Sequence, residues 1–211
     1  MHDLVIFDCD GVLVDSETIS NQVMVDNLAG YGLHLSLQDC MSMFVGGTMS
    51  GVRDSARKMG ADLPDDWTEQ IYAQIYDVLR AGVPVIPGIP ELLRHLDEQR
   101  IPFCVASNGR REKMQITLGQ NGLWDRFQGA IFSAHEVGSA KPEPGLFQTA
   151  ARHFGAKSPV VIEDSANGVT AAIRAQMRCL AYAPHDDGAR LAGLGAEVIR
   201  DMKDVPRLLG H

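Results

Sequence analysis

Short apolar, β-branched runs alternate along most of this chain with stretches whose apolar residues recur every three or four positions. One long block carries only the second pattern. The runs at 4–7 (Leu-Val-Ile-Phe), 101–106, 130–134, 159–162, 178–183 and 197–199 have the length and composition of buried strands. Between them, 90–100, 144–154 and 167–176 have helical spacing. Such alternation predicts a parallel sheet with helices on both faces. The block from 16 to 81 lacks strand runs and predicts helices over 16–29, 36–44, 50–59 and 66–80. Gly60 follows the third, and Asp66-Trp67-Thr68-Glu69 has the spacing of a capping box at the start of the fourth. The predicted organisation is a core of residues 1–15 and 83–211 interrupted by a helical insert, 16–82. The linkers, 13–15 and the Gly- and Pro-rich 82–88, are candidate hinges.

Polar clusters fall at the ends of three of these strands: Asp8-Cys9-Asp10-Gly11, Ser107-Asn108-Gly109 and Glu163-Asp164-Ser165. In an open, Rossmann-like doubly wound sheet, ligands bind beyond the carboxyl ends of the strands, and with strand order 3-2-1-4-5 these three ends are neighbours. Asp8 and Asp10, two apart on an extended chain, point the same way and repel unless they share a cation. Mg²⁺ suits them, since it takes oxygen ligands from one or two carboxylates, water and substrate phosphate. One carboxylate can then attack a phosphoryl group while the other moves protons, and we assign Asp8 to attack and Asp10 to acid/base work. Ser107 can donate to a phosphate oxygen. Lys141 opens Lys-Pro-Glu-Pro, whose prolines should hold the backbone extended and fix the ammonium near the nucleophile. Asp164 is the better direct metal ligand; Glu163 either binds directly or orients a metal-bound water. Each cluster alone has a plainer reading as an acidic turn, a helix cap or a solvated lysine. Their complementary chemistry points to phosphate.

The sequence resembles the haloacid dehalogenase superfamily of phosphotransferases along essentially its whole length. The first motif of that family, D-x-D-G-x-[LV], is matched by Asp8 to Leu13; the second, a Ser or Thr after a strand, by Ser107; the third, Lys followed by Pro, by Lys141; the fourth, paired acids, by Glu163 and Asp164. The resemblance implies a helical cap over the Rossmann-like core and an aspartyl-phosphate formed on Asp8. It also implies Mg²⁺ held by Asp8, the backbone carbonyl of Asp10 and the acids Glu163 and Asp164. Phosphate would contact Ser107, Asn108 and Lys141. The cap would meet the leaving group through Glu17, Asn21, Val45, Gly46, Gly47 and Thr48. The likeness is greatest to the branch of β-phosphoglucomutases and small sugar-phosphate phosphatases. Mutases there usually carry a His and an Arg where this chain has Ser20 and Met49, so hydrolysis is favoured over mutase activity. Dehalogenases lack the second acid, so Asp10 argues against that chemistry, and a Schiff-base lysine would have to be Lys58, expected in a solvated segment. The Asp8-Cys9-Asp10 and 107–115 segments are more weakly similar to bacterial 6-phosphogluconate phosphatases. A non-catalytic phosphometabolite-binding module would have replaced one of Asp8, Asp10, Lys141 or Asp164, and none is replaced.

At 211 residues and 45% apolar, the chain can bury a core of ordinary size plus a small insert. Its net charge of −8 disfavours nucleic acid and anionic membrane as partners. A small phosphorylated metabolite is the expected partner, bound by a monomer or weak homo-oligomer. Cys9, Cys40, Cys104 and Cys179 lack metal or disulfide spacing. With no basic-then-apolar leader after Met1, the expected compartment is the cytoplasm. Cys9 reads as a small residue turned into the core.

Overall fold

Leu4–Phe7 (β1) is buried on both faces, as the continuous apolar run demands of a central parallel strand. The computed structural model describes residues 2–185 and 187–210; Met1, ahead of the expected first strand, lies outside them. β2 (Phe103–Ser107), β3 (Ile131–Ser133), β4 (Pro159–Glu163), β5 (Arg178–Tyr182) and β6 (Glu197–Ile199) complete a parallel sheet of order β3-β2-β1-β4-β5-β6. This is a Rossmann-like α/β fold in the expected order, with a sixth strand at one edge. Phe7 pairs with Val105 on one side and Ile162 on the other, so the three polar strand ends emerge side by side. β2 begins two residues later than its apolar run because Pro102 has no N–H to give to a ladder.

Side chains alternate between the two faces of β1. Val5 and Phe7 join one apolar layer with Phe103 and Phe127, and Leu4 and Ile6 join the other with Leu146 and Phe147. Phe7 meets Phe103 and Phe127 edge to face, with centroids 6.4 and 6.3 Å apart.

The insert folds as α1 (Glu17–Gly30), α2 (Leu37–Phe44), α3 (Met49–Lys58) and α4 (Trp67–Leu79), within one residue of the expected bounds. The capping box is not formed. Asp66 makes no capping hydrogen bond and instead accepts Gln70 Nε2 at 3.0 Å, while Glu69 turns to the arginine that follows the β2 turn. The two linkers run together: Asp15 N–H donates to Pro84 O at 2.9 Å and Ile86 N–H to Leu13 O at 3.0 Å.

After the insert come α5 (Ile89–Glu98), α6 (Arg111–Gly119), α7 (Ala134–Val137), α8 (Gly145–Phe154), α9 (Ala166–Arg174), α10 (Ala189–Ala192) and α11 (Val205–Leu209). α6 was not predicted. Only Met114, Thr117 and Leu118 of its nine residues are buried, too few apolar positions to mark a helical period. Its end holds the second linker, for Gln120 Nε2 donates to Leu79 O at 2.7 Å and Asn121 Nδ2 to Val83 O at 2.9 Å.

All four cysteines are free and buried, and Cys9 packs in the same layer as Phe7. No helix among the described residues is long and apolar enough to cross a membrane. Lys58 is exposed, as expected. Phe7→Ala should cost about 3–5 kcal/mol through the cavity left between the aromatic rings, read as a lowered midpoint of urea unfolding; an unmoved midpoint would contradict this account of the core.

Candidate active site

The chain turns sharply after β1, with Leu13 N–H donating to Cys9 O at 2.9 Å and Gly11 N–H to Val14 O at 2.8 Å. Gly11 sits at φ +78°, and a Cβ there would stand 1.9 Å from Asp164 Oδ2. Only glycine lets this turn lie against the carboxylate that leaves β4.

Lys141 is almost wholly buried, and its ammonium donates to Asp8 Oδ1 and, at 2.5 Å, to Glu163 Oε1. The other oxygen of Glu163 accepts Asp164 N–H, Ser165 N–H and Ser165 Oγ–H, each at 3.0 Å. The first turn of α9 packs directly on this carboxyl: a Cβ on Gly168 would fall 1.8 Å from its carbon. The Lys-Pro-Glu-Pro segment is not extended, contrary to expectation. It forms a turn in which Glu143 N–H donates to Ala140 O at 2.9 Å. Asn108, rather than the prolines, grips Lys141: Oδ1 accepts Lys141 N–H at 2.9 Å and Nδ2 donates to Lys141 O at 3.1 Å. Ser107 Oγ accepts Gly109 N–H at 2.9 Å and lines the cleft.

Asp10 has different company. It accepts from Ser16 Oγ and from Lys113 Nζ at 2.8 Å. Lys113 was not among the expected site residues, because it rides on the unpredicted α6. A lysine in the first turn of a helix that follows a strand end directs its side chain back toward that end, and this placement is the signal that could have revealed it.

The insert closes over these groups. Gly46 O accepts Asn108 Nδ2 at 3.0 Å and Asn167 Nδ2 at 3.2 Å. Arg110 forms a two-pronged pair with Glu69 at 2.5 and 2.7 Å and lies over the Tyr72 ring, 4.2 Å from its centroid. The cleft has a volume of about 110 Å³. Glu17, Asn21, Val45, Gly46, Gly47 and Thr48 all line it, although Thr48 Oγ1 is engaged in accepting Gly51 N–H at 3.2 Å. Tyr72, which also lines it, was not expected.

The electrostatics differ between the two aspartates. Burial, together with Glu163 and Asp10 and against the pull of Lys141, pushes the Asp8 carboxyl up to about 7. Burial also works against ionisation of Asp10, but Lys113 and Ser16 outweigh it and hold that carboxyl below its ordinary value. Asp164 is raised well above the usual range by burial, Glu17, Glu163 and Asp8. Burial, Asp10 and Asp8 push Glu17 up to about 8. Such upward shifts mark a site short of positive charge. Asp8, Glu163 and Asp164 offer carboxylate oxygens within 4.8 Å of one another, an oxygen donor set that fits a hard divalent cation.

A family model described as haloacid dehalogenase-like hydrolase matches residues 2–176. The chain belongs to that family. It is 34% identical to the chloroplastic protein SUPPRESSOR OF QUENCHING 1 of Arabidopsis thaliana over 93% of its own length, although it spans only 19% of that protein. It is 29% identical to the 6-phosphogluconate phosphatase of Escherichia coli, over 86% of this chain and 84% of that one. A crystal structure of a HAD family hydrolase from Deinococcus radiodurans, with bound phosphate and sodium, superposes with a TM-score of 0.78 at 32% identity. That match covers 99% of this chain and 95% of the other.

In this haloacid dehalogenase-like hydrolase, the contact of Gly11 with Asp164 is directly testable. Saturating Mg²⁺ should raise the melting temperature of the wild type by several degrees, as any ligand of the native state does. Gly11→Ala, which displaces the Asp164 carboxylate, should lose most of that rise; an undiminished rise would remove Asp164 from the cation site.

Proposed function

We propose that this hydrolase cleaves a small phosphorylated metabolite, a sugar or sugar-acid monophosphate, with Mg²⁺ and through an aspartyl-phosphate on Asp8. One observation carries the reading: two carboxylates two residues apart are held by different cations, Asp8 by Lys141 and Asp10 by Lys113. Paired acids set in different charge environments divide nucleophilic and proton-transfer roles between them. The phosphate in the Deinococcus radiodurans structure supports the choice of substrate group.

Asp8 Oδ attacks phosphorus, the bond from phosphorus to the leaving oxygen breaks, and Asp10 gives that oxygen its proton. Asp10 then takes a proton from water, whose oxygen attacks the same phosphorus and releases Asp8 and inorganic phosphate. A phosphoryl dianion beside Asp10 favours the protonated form needed in the first half, and Lys113 and Ser16 favour the ionised form needed in the second. Lys141 and Ser107 bind phosphoryl oxygens, and Asn108 positions Lys141. Asp8, Asp164 and the main-chain carbonyl of Asp10 would hold Mg²⁺, which supplies charge neutralisation for the phosphoryl oxygens. Glu163, whose oxygens also orient Lys141 and the first turn of α9, would join them directly or through a metal-bound water. Ser20 and Met49 line the cleft where a mutase would need a second phosphate grip, and neither supplies a cation. The cytoplasm suits four unpaired, buried thiols.

The test is phosphate release from a panel of sugar, sugar-acid, polyol and nucleoside monophosphates, with Mg²⁺ and with excess chelator. Release should require the metal and vanish in Asp8→Asn, whose circular dichroism should match the wild type. Wild-type turnover by that variant would overturn the nucleophile assignment, and binding of these esters without any turnover would favour a binding module. Asp10→Asn should slow turnover by about 10²–10⁴-fold; an unchanged rate would remove Asp10 from proton transfer.

A further inference from the structure

A second cleft, of about 740 Å³, lies between the insert and the core on the side of β5. It shares one wall with the active site, made of Glu17, Val45, Asp164 and Ser165, but none of Asp8, Asp10, Ser107, Lys113 or Lys141 lines it. Its other walls come from separate parts of the fold. The insert supplies the last turn of α2 through Met41 and Met43, the two linkers supply Asp15, Ile86 and Pro87, and the core supplies Tyr182 at the end of β5 and Leu191 of α10. A volume of this size falls within the range of small-molecule sites, roughly 300–1,000 Å³.

Apolar side chains and charges are sorted within it. Met41 and Met43 join neither apolar layer of the protein, and Met43 is 48% exposed, so two adaptable thioethers stand at the cleft facing Ile86, Pro87, Pro184 and Leu191. The lining acids Asp15, Glu17 and Asp164 belong to the first linker, α1 and the end of β4, whereas both lining cations, His185 and Arg190, follow β5. Neither of those two side chains has an ion-pair or hydrogen-bond partner among the described residues. A free guanidinium can hold a carboxylate, sulfonate or phosphate through two parallel hydrogen bonds. An anionic group is therefore matched beside α10 and not at the wall shared with the active site.

We propose that this cleft is a second small-molecule site, separate from the active site, that takes an organic monoanion: an apolar body held between Met41 and Met43 of the insert and Ile86, Pro87 and Leu191, with its anionic group on Arg190. Such an occupant touches the insert, both linkers and the core at once, so its binding is linked to the position of the insert.

The probe is 8-anilinonaphthalene-1-sulfonate, which joins an apolar aromatic body to one anionic group; N-phenyl-1-naphthylamine is the same body without the sulfonate. Fluorescence titrations are run on the full chain with Mg²⁺, both without phosphate and with saturating inorganic phosphate to occupy the active site. The wild type should bind the sulfonate at one equivalent per chain, with the same Kd in either condition. Arg190→Glu should weaken that binding at least about tenfold, the scale of one lost hydrogen bond to a charged group. Arg190→Lys, which keeps the charge, should recover most of the loss. Met43→Glu, on the wall supplied by the insert, should weaken it several-fold by placing a carboxylate in the apolar part. The neutral probe should bind more weakly than the sulfonate and be indifferent to Arg190→Glu. Loosened folds bind the sulfonate dye more, not less, so a folding defect does not imitate these losses. Absence of binding, saturation at several equivalents, displacement by phosphate, or a Kd that Arg190→Glu or Met43→Glu leaves unmoved would overturn the site. Equal affinity for the two probes would overturn the ligand class.

Discussion

The rest of the active site depends on one buried ammonium group. Lys141 stands between Asp8 and Glu163 with almost no exposure to solvent. Charges taken out of water at this depth persist only when each is paired and hydrogen-bonded, and removing one partner leaves another uncompensated. The three residues come from three separate parts of the sequence, the end of β1, the turn before α8 and the end of β4. Their meeting requires the register that sets Phe7 beside Ile162. It requires Asn108 to clamp both main-chain groups of Lys141, and Gly168 to let α9 start against the Glu163 carboxyl.

Closure of the helical insert is tied to the same construction. The amide of Asn108 that grips Lys141 also donates to Gly46 O, so one side chain joins the buried lysine to the loop over it. Glu69 and Arg110 add a second tie farther out. An ion pair this exposed is weak by itself, but its two-pronged geometry and the seat of the guanidinium on Tyr72 give it a defined position. Keeping water away strengthens every electrostatic contact inside.

Two sequence signals misled for the same reason. Asp66 and Glu69 have capping-box spacing, yet a better partner for Glu69 waits on another segment, and no local pattern announces Arg110. Lys-Pro-Glu-Pro suggests an extended arm, but the grip on Lys141 comes from Asn108, 33 residues earlier. Local propensity is overridden where a distant group supplies the stronger hydrogen bond.

What the sequence by itself determined is whatever rests on periodicity and strand-end chemistry. The four insert helices lie within one residue of their expected bounds, and Asp8, Asp10, Ser107, Glu163 and Asp164 stand at the ends of neighbouring strands because apolar runs and the glycines after them are local features. What only the tertiary structure decided is who pairs with whom. Lys113 reaches Asp10, Glu163 turns its oxygens to Lys141 and the start of α9, and Ser20 Oγ, buried at the cleft, has no hydrogen-bond partner among the described residues. Those outcomes depend on distances between segments far apart in the chain, which hydropathy patterns do not encode and which the closed packing of the insert on the sheet fixes.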